Sequence, residues 1–345
     1  MTEGTAFLTF LSLAALGIGA WTYRAFRRDL AASEARLDGA SRIAATALGA
    51  CEYAEAGEGL PLLIAHGAGG GFDQGMGVDG VALAKRGFRV IAMSRFGYLR
   101  TPLPADASAA AQADAYAALM SNLGVQSAAI LGASAGAPSA LQFAIRHKER
   151  CAALILLVPM AYCPDRAGPL GLHPLASNRS EEDISAGQLP AFPYPALAEK
   201  LLLTIVGSDL AYWLTTRIAR NLVIGLTLAT PPKLVRSATP SERARVDRII
   251  NLCMPVGRRA RGILNDTRIC TALPRYELEA IHAPTLVMSC RDDRYGSFAM
   301  ARYTAEQIAG SRFLGYDTGG HVWVGRNDEI LDEMEGFLKR VGSRA

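Results

Sequence analysis

The amino-acid sequence predicts an α/β fold, a mostly parallel central sheet flanked by helices. Two observations carry this. Short, continuous apolar runs alternate with helical stretches: Leu60 to Ala65, Phe88 to Met93, Ala128 to Gly132 and Ala152 to Val158. Strands apolar on both faces belong to sheets covered on both sides, and such sheets are parallel. The alternation then stops near Pro159 and resumes at Pro284 to Ser289, so a mostly helical segment reads as inserted into one α/β unit.

The individual elements follow from local pattern. Residues Arg24 to Ala50 carry few breakers and read as helix, and Cys51 to Ala56 as an early strand closed by Gly57-Glu58-Gly59. Helices are expected at Val81 to Arg86, at the Ala-rich Ser108 to Leu123, and at Pro138 to Lys148. After the insertion, Arg312 to Asp317 reads as the last strand and Asn327 to Val341 as a closing helix. The expected organisation is 1–28 N-terminal membrane anchor, 29–50 helical linker, 51–164 first part of the core, 165–280 helical insertion and 281–345 second part of the core.

The anchor rests on Thr5 to Tyr23, a run without a charge. At ~1.5 Å per residue it spans roughly 28 Å, close to a hydrocarbon thickness. Trp21 and Tyr23 stand at one end, followed by Arg24, Arg27 and Arg28. A cleaved signal wants positive charge before the apolar run, and Glu3 stands there instead. The expectation is a transmembrane helix crossing once, with the folded domain on the cytoplasmic side, where basic flanks stay.

Composition narrows the remaining classes. With 50% hydrophobic and 20% charged residues in 345, the chain has material for a large core. The net charge of +4 is scattered, without the basic run that marks a nucleic-acid partner. The six cysteines form no C-x-x-C pair and no Cys/His cluster with zinc spacing, and they read as buried free thiols. Nothing calls for a metal or a cofactor.

Chemistry concentrates in four places. Gly132-Ala133-Ser134-Ala135-Gly136 matches G-x-S-x-G between an apolar strand and a helix. A serine there sits on a sharp, strained turn with its Oγ projecting above the sheet. His66-Gly67-Ala68-Gly69-Gly70-Gly71 follows the Leu60 strand directly. A glycine-rich loop there can aim backbone N–H groups at a developing oxyanion, one from Ala68 or Gly69 and the second from Ala135. It lacks the lysine of a phosphate loop. Serine needs a base, and His321 in Asp317-Thr318-Gly319-Gly320-His321 overhangs the strand ends. His66 is expected to brace its own loop. The acid should follow a strand end, and either Asp292 or Asp293 in Cys290-Arg291-Asp292-Asp293-Arg294 meets that condition, with Asp165 less suited.

Taken together, H-G-A-G-G-G, G-A-S-A-G, P-T-L-V-M-S-C-R-D-D and G-G-H resemble the α/β-hydrolase superfamily, in its serine hydrolase branch with an inserted helical lid. The resemblance runs from Cys51 to about Val341 apart from the lid. It implies the α/β-hydrolase fold and the order Ser134, Asp293, His321 for nucleophile, acid and base. Relatives read P-T-L-V-x-x-G-x-x-D-x-x-x-P, which places Asp293 at the acid, Cys290 at the usual glycine and Ser297 at the usual proline. The chain also departs from the family's D-x-x-G-x-G-x-S, having Ser94-Arg95-Phe96-Gly97-Tyr98-Leu99-Arg100-Thr101. Relatives that open epoxides or remove halides use Asp at the turn, so Ser134 implies acyl transfer.

The expectation is a membrane-anchored esterase-like or lipase-like hydrolase acting on a hydrophobic small-molecule acyl substrate. The apolar Pro195 to Leu228 would form part of the lid. A carbon–carbon bond hydrolase or acyltransferase on the same three residues, or a non-catalytic binding protein of this fold, are the alternatives.

Overall fold

The structure, a computed structural model, describes residues 3–164 and 204–343. Its centre is an eight-stranded sheet. The strands are β1 (Arg42–Thr46), β2 (Gly49–Ala56), β3 (Leu60–Ala65), β4 (Phe88–Met93), β5 (Ala128–Ala133), β6 (Cys151–Leu157), β7 (Thr285–Cys290) and β8 (Arg312–Tyr316). Their order is β1-β2-β4-β3-β5-β6-β7-β8. The β1–β2 and β2–β4 pairs are antiparallel and the other five are parallel.

Alternation along each strand divides the interior in two. Leu63, Ala65, Ile130, Leu154 and Leu156 point into one core, with α2 (Ala109–Asn122), α3 (Ala137–Arg146) and part of the later chain. Leu62, Ile64, Leu131, Ile155 and Leu157 point into the other, against Leu83, Ile330, Met334 and Leu338. These strands are buried on both faces, which is why they read as unbroken apolar runs. Each such side chain contributes roughly 1.5–3 kcal/mol by leaving water. Ser108 caps α2 through a hydrogen bond from Ala111 N–H at 3.1 Å.

Between β6 and β7 the described residues contain helices, among them α4 (Asp209–Ile218), α5 (Pro240–Leu252) and α6 (Ala260–Thr271). Asp165 and the first part of the expected lid lie outside the described residues. The chain returns through β7, α7 (Ser297–Gln307), β8 and α8 (Asn327–Gly342).

Two expectations change. The helix leading into the domain, α1 (Glu3–Leu37), stops well before Ala50. Gly39 at φ 66 turns the chain, and β1 then pairs with β2 across a tight connection in which Gly49 takes φ 110. The Ala-rich run was read as helix because an edge strand with one buried residue, Ala44, carries little apolar signal. The second change concerns the anchor: among the described residues, no helix is long and apolar enough to cross a membrane. The helix α1 continues without a break past the uncharged run through Arg24, Arg27, Arg28 and Asp29.

The two halves of α1 differ. Phe7, Leu8, Phe10, Leu13, Leu16 and Ile18 are exposed, as is Trp21 at 72%. The later turns pack on α4, where Phe26 meets Trp213 edge-on at 5.9 Å between ring centroids and Asp29 accepts from Trp213 Nε1 at 3.0 Å.

One buried charge is poorly compensated. Asp79 is 4% exposed, and its Oδ1 has no hydrogen-bond partner. Burial pushes its carboxyl up to about 6, against the partial pull of Arg245. The unfolded chain therefore releases this proton near pH 4 while the folded chain keeps it to about pH 6, so the folded state loses stability as pH rises through that window. Asp79→Asn should flatten this slope and add about 1–3 kcal/mol at pH 7. Urea unfolding at pH 4, 5.5 and 7 measures it, and an equal loss at all three pH values would refute it.

Candidate functional site

The site begins with a backbone constraint. Ser134 takes φ 50, a left-handed conformation, at the turn from β5 into α3. Non-glycine residues hold such angles at a cost of about 1–3 kcal/mol, so the surroundings must impose them. A Cβ on Gly136 would stand 2.1 Å from Ala65 O, and one on Gly132 would stand 2.6 Å from Ala140 Cβ. Both glycines of the pattern are there because strand and helix leave no room for a side chain. The Ser134 carbonyl accepts from Met160 N–H at 3.1 Å, which ties the turn to the end of β6.

Parallel strands bring the remaining groups to the same edge. His321 follows β8 on a loop where Gly320 takes φ 64 against Thr230. Its Nε2 lies 2.8 Å from Ser134 Oγ, and its Nδ1 lies 2.7 Å from Asp293 Oδ2. The structure thus brings together Ser134, His321 and Asp293 in one hydrogen-bonded chain. Asp293 and His321 are buried, so these bonds act with little screening by water. Asp293 Oδ1 accepts from Tyr295 N–H at 2.9 Å, and the Tyr295 ring stands perpendicular to the imidazole at 4.9 Å between centroids.

Asp292 has a separate place. Its Oδ1 accepts from Gly320 N–H at 2.7 Å, which holds the loop that carries His321. Of the two adjacent aspartates, Asp292 therefore faces a backbone amide and Asp293 a ring.

The glycine-rich loop lies against the nucleophile, since a Cβ on Gly67 would come within 3.3 Å of Ser134 Cβ. Gly69 N–H donates to Tyr98 Oη at 3.3 Å, a bond that competes with its expected part in an oxyanion hole. Ala68 precedes it in the loop, and Ala135 follows Ser134 on the turn. His66 braces the loop as expected: its Nδ1–H donates to Gly67 O at 2.7 Å, and its Nε2 accepts from Arg95 N–H at 3.0 Å. Burial, reinforced by the Arg95 guanidinium, holds this imidazole well below its ordinary range and so neutral.

Two buried ion pairs that the sequence pattern did not single out support the loop. Arg95 meets Asp266 of α6 in a two-pronged pair at 2.6 and 2.5 Å, and Tyr98 Oη donates to the same carboxylate at 2.5 Å. Arg259 donates to Gly70 O at 2.5 Å and to both oxygens of Asp73, at 3.0 and 2.8 Å. Arg36 of α1 also reaches Asp73. Burial would raise the Asp73 carboxyl, but Arg259 and Arg36 outweigh it and bring it below the usual carboxylate range. The visible signal was the departure at Ser94 to Thr101, in which Arg95 and Tyr98 are buried partners of Asp266.

The alpha/beta hydrolase fold family matches residues 61–324. This chain belongs to that family. It is 25% identical over 296 residues to the uncharacterized hydrolase YcgS of Bacillus subtilis, covering 84% of this chain and 95% of that one. A shorter stretch of 103 residues is 37% identical to 2-hydroxymuconate semialdehyde hydrolase of Pseudomonas putida, covering 29% of this chain and 37% of that one. Among solved structures, an alpha/beta hydrolase fold protein from Nakamurella multipartita superposes with a TM-score of 0.63 at 26% identity, over 88% of this chain and 99% of that one.

The ion pair at Asp266 gives a stability prediction. Asp266→Ala strands the buried Arg95 cation, and the fold should lose about 3–5 kcal/mol. Urea unfolding at pH 7 measures this. A loss below about 1 kcal/mol would mean that the pair is not what holds α6 to the loop.

Proposed function

We propose that this protein is a serine hydrolase that cleaves a carboxylic ester or related acyl substrate with a hydrophobic acyl chain. The observation that carries the reading is the hydrogen-bonded chain from Ser134 through His321 to Asp293, with the serine on a left-handed turn. In this reading Ser134 Oγ attacks the acyl carbonyl while His321 Nε2 takes its proton. Asp293 holds the imidazole so that Nε2 faces the serine, and it stabilises the imidazolium that forms. The oxyanion meets the N–H groups of Ala68 and Ala135. The intermediate collapses to an ester on Ser134, and His321 returns the proton to the leaving alcohol. Water then attacks that ester by the same route, releasing the acid and restoring the serine.

The hydrophobic preference is supported by the lid. Ile218 is 82% exposed, and Leu222 and Leu226 follow it at helical spacing on the segment that leads to the site. Hydrolysis of p-nitrophenyl esters of increasing chain length tests it: kcat/KM should rise from acetate towards medium chains, and a strict preference for acetate would count against it. A second reading, hydrolysis of a carbon–carbon bond beside a carbonyl, is favoured by the partial match to the semialdehyde hydrolase. Turnover of a vinylogous keto acid with little ester hydrolysis would support it instead.

Labelling with a fluorophosphonate probe is the first experiment. Wild type should label and Ser134→Ala should not, and equal labelling would overturn the catalytic reading and leave a binding protein of this fold. Asp293→Asn should lower kcat by about 10⁴-fold, because it favours the wrong ring tautomer. Asp292→Asn should cost about 10- to 100-fold, the worth of one hydrogen bond to a charged group. Steady-state kinetics that reverse this order would reassign the acid.

A further inference from the structure

Three donors converge on the carboxylate of Asp293. Tyr295 N–H serves Oδ1 at 2.9 Å, while Oδ2 receives both His321 Nδ1–H at 2.7 Å and the hydroxyl of Ser297. Ser297 is 0% exposed and opens α7. Its Oγ is also 2.8 Å from Ser289 Oγ on β7, which is buried as well. A hydroxyl has one proton to give. Ser297 gives its proton to the carboxylate, so Ser289 must be the donor between the two serines. The result is a relay, Ser289 to Ser297 to Asp293, that ends on the oxygen facing the imidazole.

Ser297 is also the place where the chain departs from the family pattern noted above, in which a proline stands there. Proline has no hydroxyl, so this donor comes with this chain's own residue.

We propose that Ser297, backed by Ser289, is a positioning residue that limits how much of the Asp293 charge reaches His321, and so sets the pH at which the Ser134–His321 pair becomes active. The proposal rests on the assignment of Ser134, His321 and Asp293 given above. A hydrogen bond donated to a carboxylate oxygen draws charge from it. Without the hydroxyl, more of that charge stabilises the imidazolium, and the ring gives up its proton only at higher pH.

The other charged and titratable groups around His321 are otherwise occupied. Asp292 is spent on Gly320 N–H. Arg245 of α5 donates to Val322 O at 2.6 Å and pairs with Glu242. Asp317 pairs with Arg291, and the Cys290 thiol, pushed up to about 12 by burial and the nearby aspartates, lies under Gly319. Tyr295 offers its ring face-to-edge and its hydroxyl to the Leu226 and Thr227 carbonyls. Among the described residues none of these donates to Oδ2 through a side-chain hydroxyl, so substitution at Ser297 acts on that oxygen selectively.

The test is the pH profile of kcat/KM from pH 5 to 9 on the best p-nitrophenyl ester, for wild type, Ser297→Ala, Ser297→Thr and Ser289→Ala. The acidic limb of Ser297→Ala should move up by about half to one pH unit, the worth of one hydrogen bond. Ser297→Thr keeps the hydroxyl and should restore the wild-type limb, and Ser289→Ala should shift it the same way by less. A limb that stays in place or moves down in a normally folded Ser297→Ala overturns the proposal. If that variant does not fold, an unmoved limb in Ser289→Ala overturns it instead. Fluorophosphonate labelling of wild type separates the two failures: labelling at Ser134 with an unmoved limb defeats only the Ser297 proposal, whereas no labelling at Ser134 defeats the assignment beneath it as well.

Discussion

The left-handed backbone at Ser134 is the constraint around which the site is arranged. It exists because β5 runs between β3 and β6 and turns into α3 with no space to spare, as the approach of Gly136 to the Ala65 carbonyl shows. The same adjacency of β3 and β5 sets the glycine-rich loop beside the serine, since the loop leaves β3 where the turn leaves β5. Asp293 and His321 arrive after β7 and β8, which lie two and three strands from β5. A parallel sheet delivers all four strand ends to one edge, and this is why residues far apart in sequence meet within hydrogen-bond distance.

The loop beside Ser134 is held from beneath by ions rather than by apolar packing. Arg95 with Asp266 and Arg259 with Asp73 are buried pairs whose desolvation costs much of what their attraction returns. Their value lies in geometry. A planar guanidinium with fixed donors leaves a carboxylate few alternative positions. Through Tyr98 and Gly70, that fixity reaches the backbone that would face the substrate. It also joins α6, which precedes β7, to a loop that follows β3, so the described part of the region between β6 and β7 belongs to the site's frame.

Sequence reading found what has a periodic or local signature. The buried strands announced themselves as apolar runs, and Gly132 and Gly136 marked the turn because only glycine fits there. Ser134 and His321 could be placed from their neighbours for the same reason. What escaped depended on contacts across the fold. Asp292 and Asp293 are adjacent, and the residues alone left both open, so the choice of Asp293 came only from the resemblance to the family pattern. Gly69 N–H donates to Tyr98, a partner 29 positions away. Arg95 and Asp266, 171 positions apart, look like ordinary surface charges until they are seen together. The β1 hairpin was hidden because its strand is short, Ala-rich and at the sheet's edge. The uncharged run at the start of α1 reads as a span, yet among the described residues no helix is long and apolar enough to cross a membrane.

The contact between Arg36 and Asp73 changes what α1 means for the rest of the molecule. A leading helix is often interchangeable, a segment that can be swapped among relatives without touching the domain behind it. Here the last turn of that helix supplies one of two cations on the carboxylate beneath the glycine-rich loop. Its first half is exposed. Its final turn is tied to the loop through Asp73, so the boundary between appendage and domain falls inside a single continuous helix.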